Sequence, residues 1–303
     1  MVASNEVHAS QHHAAVKNVY IFVNPTSGGY SSSCFDQTLR TLKAHGYDPT
    51  VFNVRTPADI LAHCVAINQA VDPLVIVAAG DGTFNAVVNG LQPGTATLAV
   101  LPYGTSNVLA AELGIRTVKE GVARICAGES QSLSIGLLEL NHLSRRFVLM
   151  AGIGLDGAVV RDVLPLAKKH VKQGAYAISA IGRACAWDRA MFEIVTPHRT
   201  EQCHSAIICN GSRYGGNFIL APGRTIFSPG FEVICVKDHR RRTYLKLAVD
   251  LFCGNAAVSR EITRLTAESL EIKGEGPIQI DGDFVGYGPG RLVKIENFAK
   301  MIV

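Results

Sequence analysis

The chain has 303 residues, 48% of them hydrophobic and 18% charged, which excludes wholesale disorder and supplies enough apolar material for more than one core. Its net charge of +4 is too mild for a nucleic-acid binder, so no such partner is expected. Eight cysteines without a Cys-x-x-Cys pair indicate neither a zinc site nor a disulfide framework and read as reduced core residues.

Residues 1–17, with His8, His12 and His13, are polar and aperiodic and read as a frayed tail. They lack a basic-then-apolar signal peptide, and no apolar run reaches the ~20 residues that span a bilayer, so a cytosolic protein is expected. From Lys17 the pattern becomes strand, loop, helix: Val19–Val23 is a β-branched and aromatic run, Asn24-Pro-Thr-Ser-Gly-Gly29 a turn, and Phe35, Leu39 and Leu42 one helical face. The unit recurs. Thr50–Val54 precedes a helix over Pro57–Ala70. Leu74–Ala79 leads through Gly80-Asp-Gly-Thr83 into a helix ending near Leu91, and Leu98–Leu101 through Pro102–Asn107 into a helix over Val108–Leu113.

Apolar strands alternating with helices specify an α/β fold with a parallel sheet covered on both faces and ligands at the C-terminal strand ends. From about Ser132 the texture turns to strands: Ser132–Leu140, Arg146–Ala151, Ser205–Cys209, Glu232–Val236, Ser269–Ile272 and Arg291–Glu296. The expected organisation is an α/β nucleotide-binding domain over 18–132 and a β-rich, sandwich-like domain over 133–303 with a helical insert near 159–186. A site in the cleft between them follows.

Gly80-Asp81-Gly82-Thr83 sits between a buried strand and a helix start. Glycines there let main-chain N–H groups approach an anion, and the helix N-terminus adds favourable partial charge, so phosphate is the expected guest. Asp81 beside phosphate implies a Mg²⁺–water–phosphate network or proton transfer; the alternative is a tight turn with Asp as a cap. Asn24-Pro25-Thr26-Ser27-Gly28 and Gly104-Thr105-Ser106-Asn107 add small hydroxyl and amide donors at two more strand ends. The Asn24–Gly29 loop lacks the Gly-Lys-Ser/Thr ending of a P-loop, and no Gly-x-Gly-x-x-Gly follows the first strand.

Taken in order, Asn24–Gly28, Ala79-Gly-Asp-Gly-Thr-Phe-Asn85, Leu101–Asn107, Ala151-Gly-Ile-Gly-Leu-Asp156, Asn210 with Gly215 and Gly216, Ala221-Pro222 and Ile280-Asp-Gly-Asp283 resemble the diacylglycerol kinase catalytic-domain family, which includes bacterial lipid kinases and sphingosine kinases. The resemblance implies a kinase that transfers the γ-phosphoryl of ATP to the hydroxyl of a diacylglycerol- or sphingoid-like lipid with Mg²⁺. It implies ATP contacts at Asn24, Pro25, Thr26, Ser27, Gly28, Thr56, Gly80, Asp81, Gly82, Thr83, Asn85, Gly104, Thr105 and Asn107, with Asp81 also the Mg²⁺ residue. Catalytic roles fall to Asp81, Asp281 and Asp283, and Asp283 stands where the family's Asp-Gly-Glu carries its base. A bare hairpin turn is the alternative for Asp281-Gly282-Asp283.

The chain departs from the family at Ala79, Ala86 and Val108, and at Ser228, where members with a structural Mg²⁺ carry Asp-Gly; that metal site is expected to be absent or remodelled. The missing acids leave open a nucleotide- or lipid-binding protein without turnover, and the fold also admits an NAD kinase-like enzyme of soluble metabolites. Lys168-Lys-His-Val-Lys172 beside Ala175–Ile181, and His239-Arg-Arg-Arg242 in an expected loop, are basic enough for peripheral contact with a membrane holding the lipid substrate; solvated surface charge is the plainer alternative.

Overall fold

The computed structural model describes residues 17–167, 190–216, 218–255 and 259–303. The first half runs β1 (Lys17–Val23), α1 (Ser32–Ala44), β2 (Tyr47–Asn53), α2 (Pro57–Ile67), β3 (Leu74–Ala79), α3 (Asp81–Gly90), β4 (Thr97–Pro102), α4 (Val108–Glu112) and α5 (Val118–Ala127). Strands β2-β1-β3-β4 lie side by side and parallel, as expected for an α/β sheet. The sequence reason is visible in β3. Val75 and Val77 pack with Phe84 and Val87 of α3 on one face, whereas Ile76 and Ala78 pack with Phe35 of α1 and Ile125 of α5 on the other, so no position is left for a polar side chain. Helix starts carry their own signals: Ser31 caps α1, Thr56 and Asp59 form a reciprocal capping box on α2, and Thr117 caps α5.

The second half contributes β5 (Ser130–Leu140), β6 (Leu143–Phe147), β7 (Met150–Gly154), α6 (Leu155–Ala167), β8 (Phe192–Val195), β9 (Thr200–Cys203), β10 (Ser205–Cys209), β11 (Arg213–Tyr214), β12 (Phe218–Ile219), β13 (Phe231–Val236), α7 (Arg241–Phe252), β14 (Ile262–Ala267), β15 (Ser269–Lys273), β16 (Pro277–Ile280), β17 (Asp283–Tyr287) and β18 (Gly290–Ile302). Six of these strands form an antiparallel sheet, β14-β13-β10-β7-β16-β17. It packs on an extension of the first sheet, with Leu138, Leu270 and Leu292 meeting Ile153, Ile208, Val233 and Ile278 in a sandwich core.

The extension arises because the long β18 pairs antiparallel with β5 and then parallel with β4 at Lys300 and Met301. One sheet of ten strands therefore runs through both halves of the chain, and β5 itself crosses the expected boundary at 132/133. The expected single strand Arg146–Ala151 is two strands, broken at Val148 and Leu149, whose amides serve a carboxylate described below. Arg241 and Arg242, expected in a loop, open α7. The start of the expected insert lies in α6; its remainder, the Lys168–Lys172 segment and the N-terminal histidines lie outside the described residues. Cys64, Cys203, Cys209 and Cys235 are buried free thiols, but Cys253 is exposed and does not belong to a core.

Candidate active site

Three loops meet at the C-terminal ends of β1, β3 and β4. In the first, Ser27 N–H donates to Asn24 O at 3.0 Å, and Asn24 Oδ1 accepts from Thr26 N at 2.9 Å and Thr26 Oγ1 at 2.7 Å, so Asn24-Pro25-Thr26-Ser27 is a turn locked by its own asparagine. The loop is tied down where Gly29 N–H donates to Tyr103 O at 3.0 Å, and a Cβ on Gly28 would lie 2.6 Å from Thr105 Oγ1. In the third loop, Gly104 N–H donates to Asn107 Oδ1 at 2.8 Å and Asn107 Nδ2 donates to Gly104 O at 2.9 Å. Asn107, assigned to ATP contact, has its side chain committed to closing this loop.

The second loop abuts the third: a Cβ on Gly104 would sit 2.4 Å from Gly80 Cα and 3.0 Å from Gly80 N. Only two glycines allow the ends of β3 and β4 to approach this closely. Gly104→Ala should therefore separate the loops and cost about 1–3 kcal/mol as an overpacked contact, which thermal denaturation checks. The amides of Asp81 and Gly82, first in α3, have no acceptor within the helix, and the space beside Gly82 is open. Thr83 lies in the same first turn, its N–H bonded to Gly80 O at 3.1 Å. Thr56 stands apart at the end of β2, on the other side of β1 from β3, with its hydroxyl capping α2.

Asp81 accepts from Val108 N at 3.0 Å and Leu109 N at 2.9 Å, one bond to each carboxylate oxygen. It thus caps α4 from outside that helix and keeps a further lone pair on each oxygen. One turn along α3, Asn85, expected as an ATP contact, is largely buried and its side chain is held by protein partners. Its Nδ2 donates to Asp281 Oδ2 at 2.8 Å and to Arg146 O at 3.1 Å, and its Oδ1 accepts from Asn89.

Asp281 and Gly282, with φ of 45° and 88°, are the two-residue loop between β16 and β17, where Ile280 pairs Asp283. Positive φ at both positions is the type I′ hairpin that an Asp-Gly pair favours. The Asp281 carboxylate accepts from Asn85 Nδ2, from Val148 N at 2.7 Å, and from Leu149 N and Met150 N at 2.9 Å. Removal from water pushes its pKa up, and the four N–H donors oppose that shift. Four donors use all four lone-pair sites of Asp281, expected as a catalytic residue, and pin the hairpin to α3 and to the β6–β7 junction. Asp283, next in the chain, is exposed.

Behind the hairpin lies an apolar cavity of about 180 Å³ between α6, α7 and the second sheet, lined by Val159, Ile207, Phe218, Tyr244, Leu247 and Leu251 among others. Its polar spot is Asp156, which accepts from Tyr214 Oη and from Gln279 Nε2 at 2.7 Å. Burial pushes the Asp156 carboxyl up, against the pull of these two donors. Gln279 Oε1 in turn accepts from Gly282 N at 2.8 Å, so hydrogen bonds join the cavity to the turn that carries Asp283.

Several residues of this frame received no role from the sequence. Asp156 and Asn210 were visible within motifs, but Glu112, Gln279 and Lys294 give no local signal. Glu112 of α4 accepts from Ser212 N at 2.9 Å and Ser212 Oγ at 2.7 Å, bringing the β10–β11 junction to the loop side of the first sheet. Lys294 Nζ donates to Asn210 Oδ1, to Gly230 O at 2.9 Å and to Ser228 O at 3.2 Å. Lys294 thus sets its amine on main-chain oxygens of the Ser228–Gly230 turn, whose own side chains offer no carboxylate.

Burial pushes the Lys294 amine down from 10.5 to about 8. Between those values the unfolded chain holds a proton that the folded chain has released, so stability rises with pH there. Urea unfolding should show wild type gaining on Lys294→Met from pH 8 to pH 10.5, and a gap that does not change with pH would contradict the assignment. Among the described residues, no group of three or more His, Cys, Asp or Glu side chains is arranged to hold a metal ion.

Residues 18–138 match the family model described as the diacylglycerol kinase catalytic domain, and residues 150–299 match the YegS C-terminal NAD kinase beta sandwich-like domain. The chain is 24% identical over 297 residues to a diacylglycerol kinase of Bacillus subtilis, covering 95% of this chain and 97% of that protein. A diacylglycerol kinase of Mycobacterium tuberculosis is 23% identical over 279 residues, 89% of each chain. A solved structure of a diacylglycerol kinase from Bacillus anthracis shares the fold, with a TM-score of 0.76 at 22% identity over 95% of this chain and 96% of that one.

Proposed function

We propose, given that the chain belongs to the diacylglycerol kinase catalytic-domain family and is a kinase, that it transfers the γ-phosphoryl group of ATP to a hydroxyl of a diacylglycerol- or sphingoid-like lipid. The observation that carries this reading is the convergence of three strand-end loops around the first amides of α3. A triphosphate resting there meets main-chain N–H groups of Asp81 and Gly82, with the loops at 24–28 and 104–105 beside it. Asp81, with its spare lone pairs, would be the residue to hold a Mg²⁺ ion brought with the nucleotide, and that ion would offset the charge of the phosphates.

The lipid hydroxyl attacks the γ-phosphorus, a new O–P bond forms as the bond to the β–γ bridging oxygen breaks, and ADP leaves. Asp283 accepts the hydroxyl proton. It is one methylene shorter than the Glu of the family motif, and the hairpin pinned by Asp281 fixes how far it reaches. The apolar cavity beneath α7 suits an acyl chain and favours a lipid over a polar metabolite as acceptor.

Purified protein should release ADP from Mg-ATP when offered diacylglycerol, monoacylglycerol, a sphingoid base or ceramide in mixed micelles. Release with none of them contradicts the proposal. Asp81→Asn, which keeps one oxygen to cap α4, should lower that release at least tenfold. Asp81→Ala also uncaps α4, at about 1 kcal/mol, and so mixes stability with chemistry.

A further inference from the structure

One helix has two apolar faces. The inner face of α7 carries Tyr244, Leu247, Ala248 and Leu251, which wall the apolar cavity. On the outer face, Leu245, Val249 and Phe252 are 61%, 53% and 43% exposed, and their spacing of four and three residues makes them a single stripe. An exposed stripe of this kind needs an occupant.

Charge identifies the occupant. Arg241 borders the stripe on one side, with Arg242 and Lys246 on the other, all three exposed, and Arg240 immediately precedes the helix. Two nearby acids pair within this cluster, Glu261 with Lys246 at 2.6 Å and Asp238 with Arg240 at 3.9 Å, and Asp250 lies partly buried away from the stripe, so four cations outnumber three acids and the border of the stripe keeps a net positive charge. Large side chains between cations are the pattern of a helix lying in a phospholipid headgroup layer, with arginines at the phosphates. Three side chains are too few for the core of a stable protein interface, which buries ~1,000 Å² or more. No helix among the described residues is long and apolar enough to cross a membrane, so contact here is lateral.

Position adds a second argument. Phe252 belongs to both faces: it lines the cavity, it is part of the stripe, and its ring meets Phe218 edge-on at 4.9 Å beside the exposed Ile219. The apolar surface thus continues from the outer stripe into the cavity. We propose that the outer face of α7 docks this protein onto an anionic lipid bilayer, with Leu245, Val249 and Phe252 in the headgroup layer and the cavity opening toward the acyl chains. The assignment of the cavity to an acyl chain rests on the lipid-kinase reading; the docking itself does not.

The test is sedimentation with phospholipid vesicles in the absence of nucleotide and acceptor. Wild type should partition onto phosphatidylglycerol–phosphatidylcholine vesicles at least tenfold better than onto pure phosphatidylcholine. Leu245→Gln with Val249→Gln should lose at least tenfold of that binding, and Arg241→Gln with Arg242→Gln about tenfold or more on the anionic vesicles alone. Circular dichroism melts should leave both variants folded, since these side chains point to solvent. Equal partitioning of wild type onto the two vesicle types, or double variants that bind as wild type does, would overturn the proposal. So would a wild-type dimer in sedimentation equilibrium that Leu245→Gln with Val249→Gln dissociates, because a second copy would then cover the stripe. Turnover of a dispersed short-chain acceptor separates the two readings. If wild type fails on it while vesicle binding follows α7, docking stands and the kinase reading falls.

Discussion

Asp283→Asn is expected to lower kcat by ~10²–10⁴-fold, the usual contribution of a positioned general base, while leaving the KM for ATP within about threefold. The side chain is exposed at the first position of β17, so an isosteric amide there disturbs no packing. Its effect should lie in the proton transfer alone. Asp283→Glu should retain activity, because it restores the residue type of the family motif at a position with solvent room. Steady-state kinetics over a range of acceptor concentrations separates the two parameters, and an Asp283→Asn enzyme with kcat within threefold of wild type would remove Asp283 from the mechanism.

Asp281→Asn carries the second large effect, on stability. The carboxylate receives four N–H donors, three of them main-chain amides of Val148, Leu149 and Met150. An asparagine turns one acceptor into a donor facing donors, leaving at least one buried N–H without a partner. The expected loss is about 3 kcal/mol, from charge-assisted bonds weakened and an amide left unsatisfied. Equilibrium urea unfolding measures it. A loss below about 1 kcal/mol would mean that the junction re-pairs with water, and Asp281 would not be the pin described. Turnover should fall as well, because the turn that positions Asp283 is no longer held to α3 through Asn85.

The contrast between these two acids shows what the sequence made legible. Asp281-Gly282-Asp283 is recognisable as a motif and as a hairpin, and the structure displays the hairpin in type I′ form. Which acid faces outward depends on three amides of the β6–β7 junction more than a hundred residues earlier, and no local pattern records that. The parallel sheet was legible because β1, β3 and β4 are apolar at nearly every position and each is followed by a turn-rich loop and a helix. The junction of the halves was hidden. In β18 the pattern Lys294–Asn297 mixes charged and apolar residues, because one of its cations is buried against main-chain oxygens and Glu296 bonds Ser134 Oγ at 2.6 Å.

Burial similarly decided the fate of the asparagines. Asn24, Asn85 and Asn107 all sit in loops or helix starts that suggest ligand contact, yet Asn24 and Asn107 bond within their own loops and Asn85 reaches across to Asp281 and Arg146 O. Asn24 and Asn107 thereby fix the shape of the first and third strand-end loops. The basic run at Arg240–Arg242 looked like a loop because three consecutive arginines show no helical period; the period begins only with Tyr244, Leu247 and Leu251 on the cavity side.

The most direct measurement is the fate of a labelled phosphoryl group. With [γ-³²P]ATP, Mg²⁺ and diacylglycerol or a sphingoid base in mixed micelles, label should move into the solvent-extractable lipid fraction in step with ADP release, and none should move from [α-³²P]ATP. Label found only as inorganic phosphate, or extractable label from the α position, would contradict transfer of the γ-phosphoryl to a lipid hydroxyl.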